Sequence, residues 1–337
     1  MATGGPATAG QVPVKWRCAL VALALLPLSG TVRAEPPGKV FHIAYLAPAA
    51  SPAAIAAKDG LAKALAERGF APDRLVIDMQ AAGGKPERLP ALAKELVASG
   101  VDVIVTTGFP ASRAAKEATS TVPIVITNAG DPVDTGLAVS LAHPGGNVTG
   151  ISDMAAELST KRLDLLKSAV PGLKKVAMLW NADDLGMTTR YHAAAAAATA
   201  LGVTVEPLGV REPDDFVAAF SAMDRDKPDG ILMVTDILTI LNRQRVFDYS
   251  AEHRLPAIYE FDFLAKDGGL MSYGPEGKEV TRRVAYLVER ILEGAKPADL
   301  PFERPTQFRL VVNTKTAASI GLTLSPALVA RADEVVE

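Results

Sequence analysis

From Lys39 onward the chain alternates short apolar runs, rich in β-branched residues, with longer alanine- and leucine-rich amphipathic stretches. A short run of that kind reads as a buried strand and a long one as the helix that crosses over it. Their alternation therefore dictates βα units and a mostly parallel sheet. Residues 40–45, 75–79, 101–106 and 123–127 read as strands, with helices at 52–68, 87–98, 111–119 and 134–142. The rhythm then repeats. Strands are expected at 175–180, 203–208, 230–235, 256–259, 270–273 and 308–312. Helices are expected at 156–169, 185–200, 214–225, 238–253, 276–293, 315–320 and 326–335.

A break falls between these two series. The apolar run Pro123-Ile-Val-Ile-Thr127 leads into Asn128-Ala-Gly-Asp-Pro132, where Gly130 tolerates positive φ and Pro132 fixes φ, so the loop is bent and rigid. His143-Pro-Gly-Gly-Asn147 punctuates the chain again before Val148-Thr-Gly-Ile-Ser152. Such a break predicts an α/β fold of two lobes with mostly parallel sheets, a crossover between them and a ligand cleft beside it. The expected division is 1–34 as a leader, 35–150 as the N-terminal lobe and 151–307 as the C-terminal lobe. The tail, 308–337, is expected to cross back towards the lobe interface.

The leader reading rests on Lys15 and Arg17 ahead of an apolar core, 18–28, that is too short to span a bilayer, followed by Val32-Arg-Ala34. Cleavage near Ala34 would leave 303 residues, enough for two domains. It would also remove Cys18, the one cysteine, so no disulfide or thiol chemistry is expected. Losing Lys15, Arg17 and Arg33 leaves 32 basic against 38 acidic residues, a net charge of −6. With no basic block to neutralise phosphates, nucleic acid is not an expected partner. The expected location is the periplasm.

Open α/β sheets place ligands at the carboxyl ends of their strands. Aromatic residues are scarce here, yet Tyr45, Phe109, Trp180, Tyr259, Phe261, Phe263 and Tyr273 all fall at or just beyond expected strand ends. An aromatic ring at such a place can stack on a ligand. Polar groups share the rim: Ser51 before the first helix, Thr106-Thr107-Gly108 ahead of another, and the acceptors Asn128, Asp131, Ser152, Asp153, Asn181, Asp236 and Glu260. Helix starts favour an anion such as a carboxylate, and an acid can pair with an ammonium group. Ser51 and Thr107 are the candidates for the first role, Asp236 or Asp131 for the second, and Trp180 and Tyr273 for apolar contacts. Each polar residue taken singly is also a common turn or cap residue.

Other chemistry is missing. His42, His143, His192 and His253 have no partners at metal-ligand spacing, so no metal site is expected. Gly83-Gly-Lys85 lacks a phosphate-loop pattern, and no dinucleotide fingerprint follows the first strand. No nucleophile elbow occurs either. The expectation is a binding protein without catalytic residues or cofactor. Two other classes share the architecture, a ligand-loaded sensor partner and a periplasmic α/β enzyme.

Several blocks together carry a resemblance. Pro90-Ala-Leu-Ala-Lys-Glu-Leu-Val, Gly130-Asp-Pro-Val, Pro144-Gly-Gly-Asn-Val-Thr-Gly, Lys161-Arg-Leu-Asp-Leu-Leu and Gly269-Leu-Met-Ser-Tyr-Gly are similar to blocks of one family. So are Ile291-Leu-Glu-Gly-Ala-Lys-Pro and the end, Ala330-Arg-Ala-Asp-Glu-Val. The family is the ABC transporter substrate-binding proteins similar to the tryptophan- and tyrosine-binding periplasmic proteins. The resemblance implies a type I periplasmic binding fold, two Rossmann-like lobes joined by a hinge, with a small-molecule ligand, expected to be an aromatic or branched amino acid or a related carboxylate, and a separately encoded permease and ATPase. It also implies a monomer. By the same resemblance Ser51, Thr106, Thr107, Gly108, Asn128 and Asp131 lie on ligand-facing loops of the first lobe, and Trp180, Asn181, Asp236, Tyr259 and Tyr273 on those of the second. The turn after Asn181, here Ala-Asp-Asp-Leu, departs from the Asn-Pro-rich turn of many relatives.

Overall fold

The computed structural model describes residues 39–337; the expected leader, its cleavage point near Ala34 and Cys18 lie outside them. The first βα series is β1 (Phe41–Ala47), α1 (Pro52–Ala66), β2 (Leu75–Ala81), α2 (Leu89–Ala98), β3 (Val103–Thr107), α3 (Phe109–Ala118), β4 (Ile124–Thr127) and β5 (Val148–Gly150). Its strands form a five-stranded parallel sheet in the order β2-β1-β3-β4-β5. Successive side chains of a strand point to opposite faces, and β3 shows the consequence. Ile104 joins the core under α2 and α3, whereas Val103 and Val105 join the core under α1.

The second series runs α4 (Ala155–Ala169), β6 (Lys175–Asn181), α5 (Leu185–Ala200), β7 (Thr204–Val210), α6 (Asp215–Arg225), β8 (Gly230–Met233), α7 (Ile237–Leu241), α8 (Arg243–His253), β9 (Ala257–Tyr259), α9 (Asp262–Lys266) and β10 (Met271–Pro275). It continues with α10 (Gly277–Leu292), β11 (Phe308–Asn313), α11 (Thr314–Ser319), α12 (Pro326–Val329) and β12 (Glu334–Val336). Seven strands pair in the order β12-β11-β10-β9-β8-β6-β7. Among the described residues the pairing is parallel except between β10 and β11.

α10 is the exception to chain order. It follows a strand of the second sheet, yet Val284, Ala285, Leu287, Val288 and Ile291 are buried with Ile43 of β1 and Leu61 and Leu65 of α1. Burying one such valine, leucine or isoleucine is worth about 1.5–3 kcal/mol, so this apolar face is enough to hold the helix on the first sheet. Residues 277–292, which the sequence groups with the second lobe, thus complete the first. Residues 308–337 supply β11 and β12 to the second sheet.

The chain consequently passes between the sheets three times, and the crossing segments are stitched together. Ile151 bridges to Glu303, the Ser152 amide donates to the Glu303 carbonyl at 2.8 Å, and the Glu303 amide to the Gly150 carbonyl at 2.8 Å. The Glu276 amide donates to the Gln307 carbonyl at 2.9 Å. The Glu279 carboxylate accepts from Arg283 Nε at 2.8 Å and from the amide and hydroxyl of Thr306 at 3.0 and 2.8 Å. Burial works to raise its pKa, but the Arg283 and Thr306 bonds outweigh burial and hold it down to about 2.

Three local expectations give way. Residues 134–142 form turns rather than a helix. Asp131 Oδ1 accepts from the amides of Val133 and Asp134, which bends the chain locally, and Gly136 takes φ 72°. The stretch 238–253 is split into α7 and α8 at Asn242. The tail helix stops at Val329 because its last residues pair with β11 as β12.

Candidate functional site

The strand ends of both sheets meet across the lobe interface, where α3 and α5 begin. Gly108 precedes α3 with φ 82° and supplies no side-chain cap, and its amide donates to the Thr127 carbonyl. Asp184 caps α5, its Oδ1 accepting from the Met187 amide at 3.2 Å. A β-carbon built on Gly186 would lie 2.8 Å from Cβ of Phe109 and 2.7 Å from the Ala129 carbonyl oxygen. Only a glycine lets the first turn of α5 come this near the first lobe.

One turn further along α5, Arg190 projects into a buried polar cluster. Its Nη2 donates to Asn128 Oδ1 and Asp153 Oδ2, both at 2.5 Å, and its Nε to Asp153 Oδ2 at 2.8 Å. Nη1 reaches Glu260 Oε2 at 3.0 Å. Glu260 also accepts from Arg162 Nη1 and from the Thr235 amide, and Arg162 Nε donates to the Tyr273 carbonyl. Burial works against the charge on Arg190, but Asp153 and Glu260 outweigh burial and hold its pKa above the ordinary range. Two guanidinium groups and two carboxylates balance, the condition under which buried charges persist.

Beside this cluster a second pair of acids is less fully compensated. Asp236 caps α7 through a reciprocal bond with Thr239, and Asn181 Nδ2 donates to its Oδ2 at 2.6 Å. Burial, reinforced by the neighbouring Asp236, pushes the Asp184 carboxyl up to about 7. Burial likewise raises Asp236. Two buried carboxyls thus stand at the heads of two helices of the second lobe with a reluctance to be charged together.

The expected site residues are sorted by this geometry. Asn128 and Asp153 meet at Arg190, and Asn181 meets Asp236. Ser51 caps α1 by accepting from the Ala54 amide at 3.2 Å. Thr106 is wholly buried against Ser112, whereas Thr107 is half-buried at the end of β3. Asp131 caps its own turn, and Ser152 is buried in the first crossing segment. The aromatic residues divide differently. Trp180 packs in the core beneath α5 and Tyr259 in the core on the other face of the same sheet. Tyr273 stacks on Phe308 with centroids 6.0 Å apart. Tyr45 and Phe109 are buried in the two cores of the first lobe.

Arg190, Arg162, Asp184 and Gly186 were not among the expected site residues. A signal for Arg190 exists: Met187, Arg190, Ala194, Ala197 and Ala198 share the buried face of α5, and an arginine in an otherwise apolar row needs a buried partner.

Residues 42–336 match the family described as ABC transporter substrate binding protein. The chain belongs to that family. A relative, the tyrosine-binding protein of Clostridioides difficile (strain R20291), is 27% identical over 267 residues, covering 79% of this chain and 76% of its own. A solved ABC domain from Streptococcus pneumonia in complex with L-Trp is 26% identical and superposes with a TM-score of 0.83, over 88% of this chain and 100% of that one. A ligand-free, open substrate-binding protein with adhesive properties from Clostridium difficile is 25% identical, with a TM-score of 0.67 over 88% of this chain and 99% of that one. These neighbours give the fold its class, the type I periplasmic binding fold.

Proposed function

We propose that this protein captures an amino acid with an aromatic or branched side chain, or a related carboxylate, between its lobes. It would work after export to the periplasm and pass the solute to a membrane permease driven by a separate ATPase. One observation carries the reading of the ligand: the uncapped start of α3 on the first lobe packs against the start of α5 on the second, which is headed by Asp184. A helix start with free amides favours a carboxylate, and a buried carboxyl with a raised pKa favours an adjacent ammonium group. Opposite demands on two sides of one interface are those of a zwitterion. The L-Trp complex and the tyrosine-binding relative support the same class.

A thermal-shift panel of L-tryptophan, L-tyrosine, L-leucine and their decarboxylated and deaminated analogues tests this. Ligand at 100 times its dissociation constant adds about 2.7 kcal/mol of stability, a shift that is easily measured. The expected result is a rise in Tm with at least one intact amino acid and none with the analogue lacking its amine. No response to any aromatic or branched amino acid would overturn the ligand class.

A further inference from the structure

The first two turns of α5 bring two unlike contacts to one face. Gly186 lies so close to the first lobe that a β-carbon on Gly130 would fall 2.6 Å from its Cα. Arg190, four residues on, reaches Asn128 of that lobe through Nη2. At the mouth, a β-carbon on Gly84 of the first lobe would sit 3.6 Å from Leu241 of α7. Asn128 stands immediately after β4, so it travels with the first lobe, whereas Arg190, Glu260 and Arg162 belong to the second.

We propose that Gly186 and Arg190 form an interlobe latch that sets the balance between open and closed states through protein contacts alone. Separating the lobes removes the Asn128 contact but leaves Arg190 with Glu260, Glu260 with Arg162, and the four charges still summing to zero. Opening therefore strands no lone buried charge, which makes the latch reversible rather than a permanent clamp. The glycine sets how near α5 can come, and the arginine rewards that approach with one charge-assisted hydrogen bond. A two-state equilibrium shifts only by the free energy that distinguishes its states, and this contact is made in one of them. The proposal rests on the binding reading only for its consequence, that solute affinity scales with the closed fraction.

The test uses the full chain carrying Cys18→Ser with Glu87→Cys and Gln244→Cys as spin-label sites, both exposed, the first three residues beyond Gly84 and the second three beyond Leu241, which approach each other across the lobes. Distances are measured by pulsed electron resonance without added solute, so the outcome does not depend on which ligand the protein takes. Gly186→Ala improves helix propensity within the second lobe but cannot make the close approach. Asn128→Gly deletes the amide while keeping a residue suited to its φ of 54°. The expected result is a closed population in the parent that falls about tenfold or more relative to the open one in each variant, with Tm changed little. Distance distributions that superpose in parent and both variants, or a parent that shows only the long distance, would overturn the latch.

Discussion

The indole of Trp180 lies flat on the phenol of Tyr191, ring centroids 3.8 Å apart and planes 6° from parallel, and its Nε1 is buried without a hydrogen-bond partner. Gly209 of β7 abuts the far edge of the indole, where a β-carbon would lie 3.1 Å from the ring. The ring is thus enclosed by sheet and helix. Trp180→Ala is expected to cost about 3–5 kcal/mol of stability, the usual penalty for emptying such a site. Urea unfolding measures it, and a loss below ~1 kcal/mol would show that the ring is not part of the core.

Glu260 joins Arg162, Arg190 and the Thr235 amide with its side chain 5% exposed. Glu260→Gln keeps the shape but leaves two guanidinium groups short of one negative charge. We expect a loss of about 3–5 kcal/mol, as for breaking a buried ion pair. The double variant Arg162→Met/Glu260→Gln should recover part of it, and a cycle built from the two single variants gives the coupling.

Asp184 titrates near 3.8 when unfolded and near 7 when folded, so between those values the folded state holds the extra proton. Stability should therefore fall as pH rises from about 4 to about 7, by up to about 1.4 kcal/mol per unit from this group. Asp184→Asn preserves the cap and should flatten that slope. Chemical denaturation at several pH values compares the two, and parallel curves would contradict the shift.

Glu279 behaves in the opposite sense, since its folded pKa lies near 2, below the ordinary 4.5. Its contribution is present above about pH 4.5 and lost as pH falls towards 2. Glu279→Gln should lower Tm at pH 7 and have no effect near pH 2. Scanning calorimetry at both values separates these outcomes.

An amino acid whose ammonium group meets Asp184 should expel the proton that this carboxyl holds near neutrality. Calorimetric titration with L-tryptophan at pH 6.5 in buffers of differing ionisation enthalpy should then report proton release. Equal heats in all buffers would place the ammonium group elsewhere.

Most strands and long helices could be read from the chain because their apolar periodicity is local; α5 spans 185–200 as expected. What could not be read depends on partners distant in sequence. α10 has the pattern of any amphipathic helix, and nothing in Val284 to Ile291 says which sheet will cover it. β12 is a strand only because β11 offers an edge, so 326–335 reads as helix when considered alone. The same holds at the rim. Asn128, Asp153 and Asp236 were visible as acceptors at strand ends, but their donors Arg190 and Asn181 could be matched to them only in three dimensions. Aromatic rings at strand ends proved ambiguous because a ring at such a place can turn into the core as well as into a cleft: Trp180, next to the last residue of β6, and Tyr259, the last of β9, are packed in the cores on opposite faces of their sheet.

The late arrival of α10, β11 and β12 has a consequence for how the polypeptide matures. A nascent chain emerging from the ribosome carries two half-built layers, each missing a piece that is translated only after residue 276, and neither can be sealed before that piece has emerged. Premature termination before Gly277 would spoil both halves at once, and no uninterrupted fragment contains all of either half without part of the other.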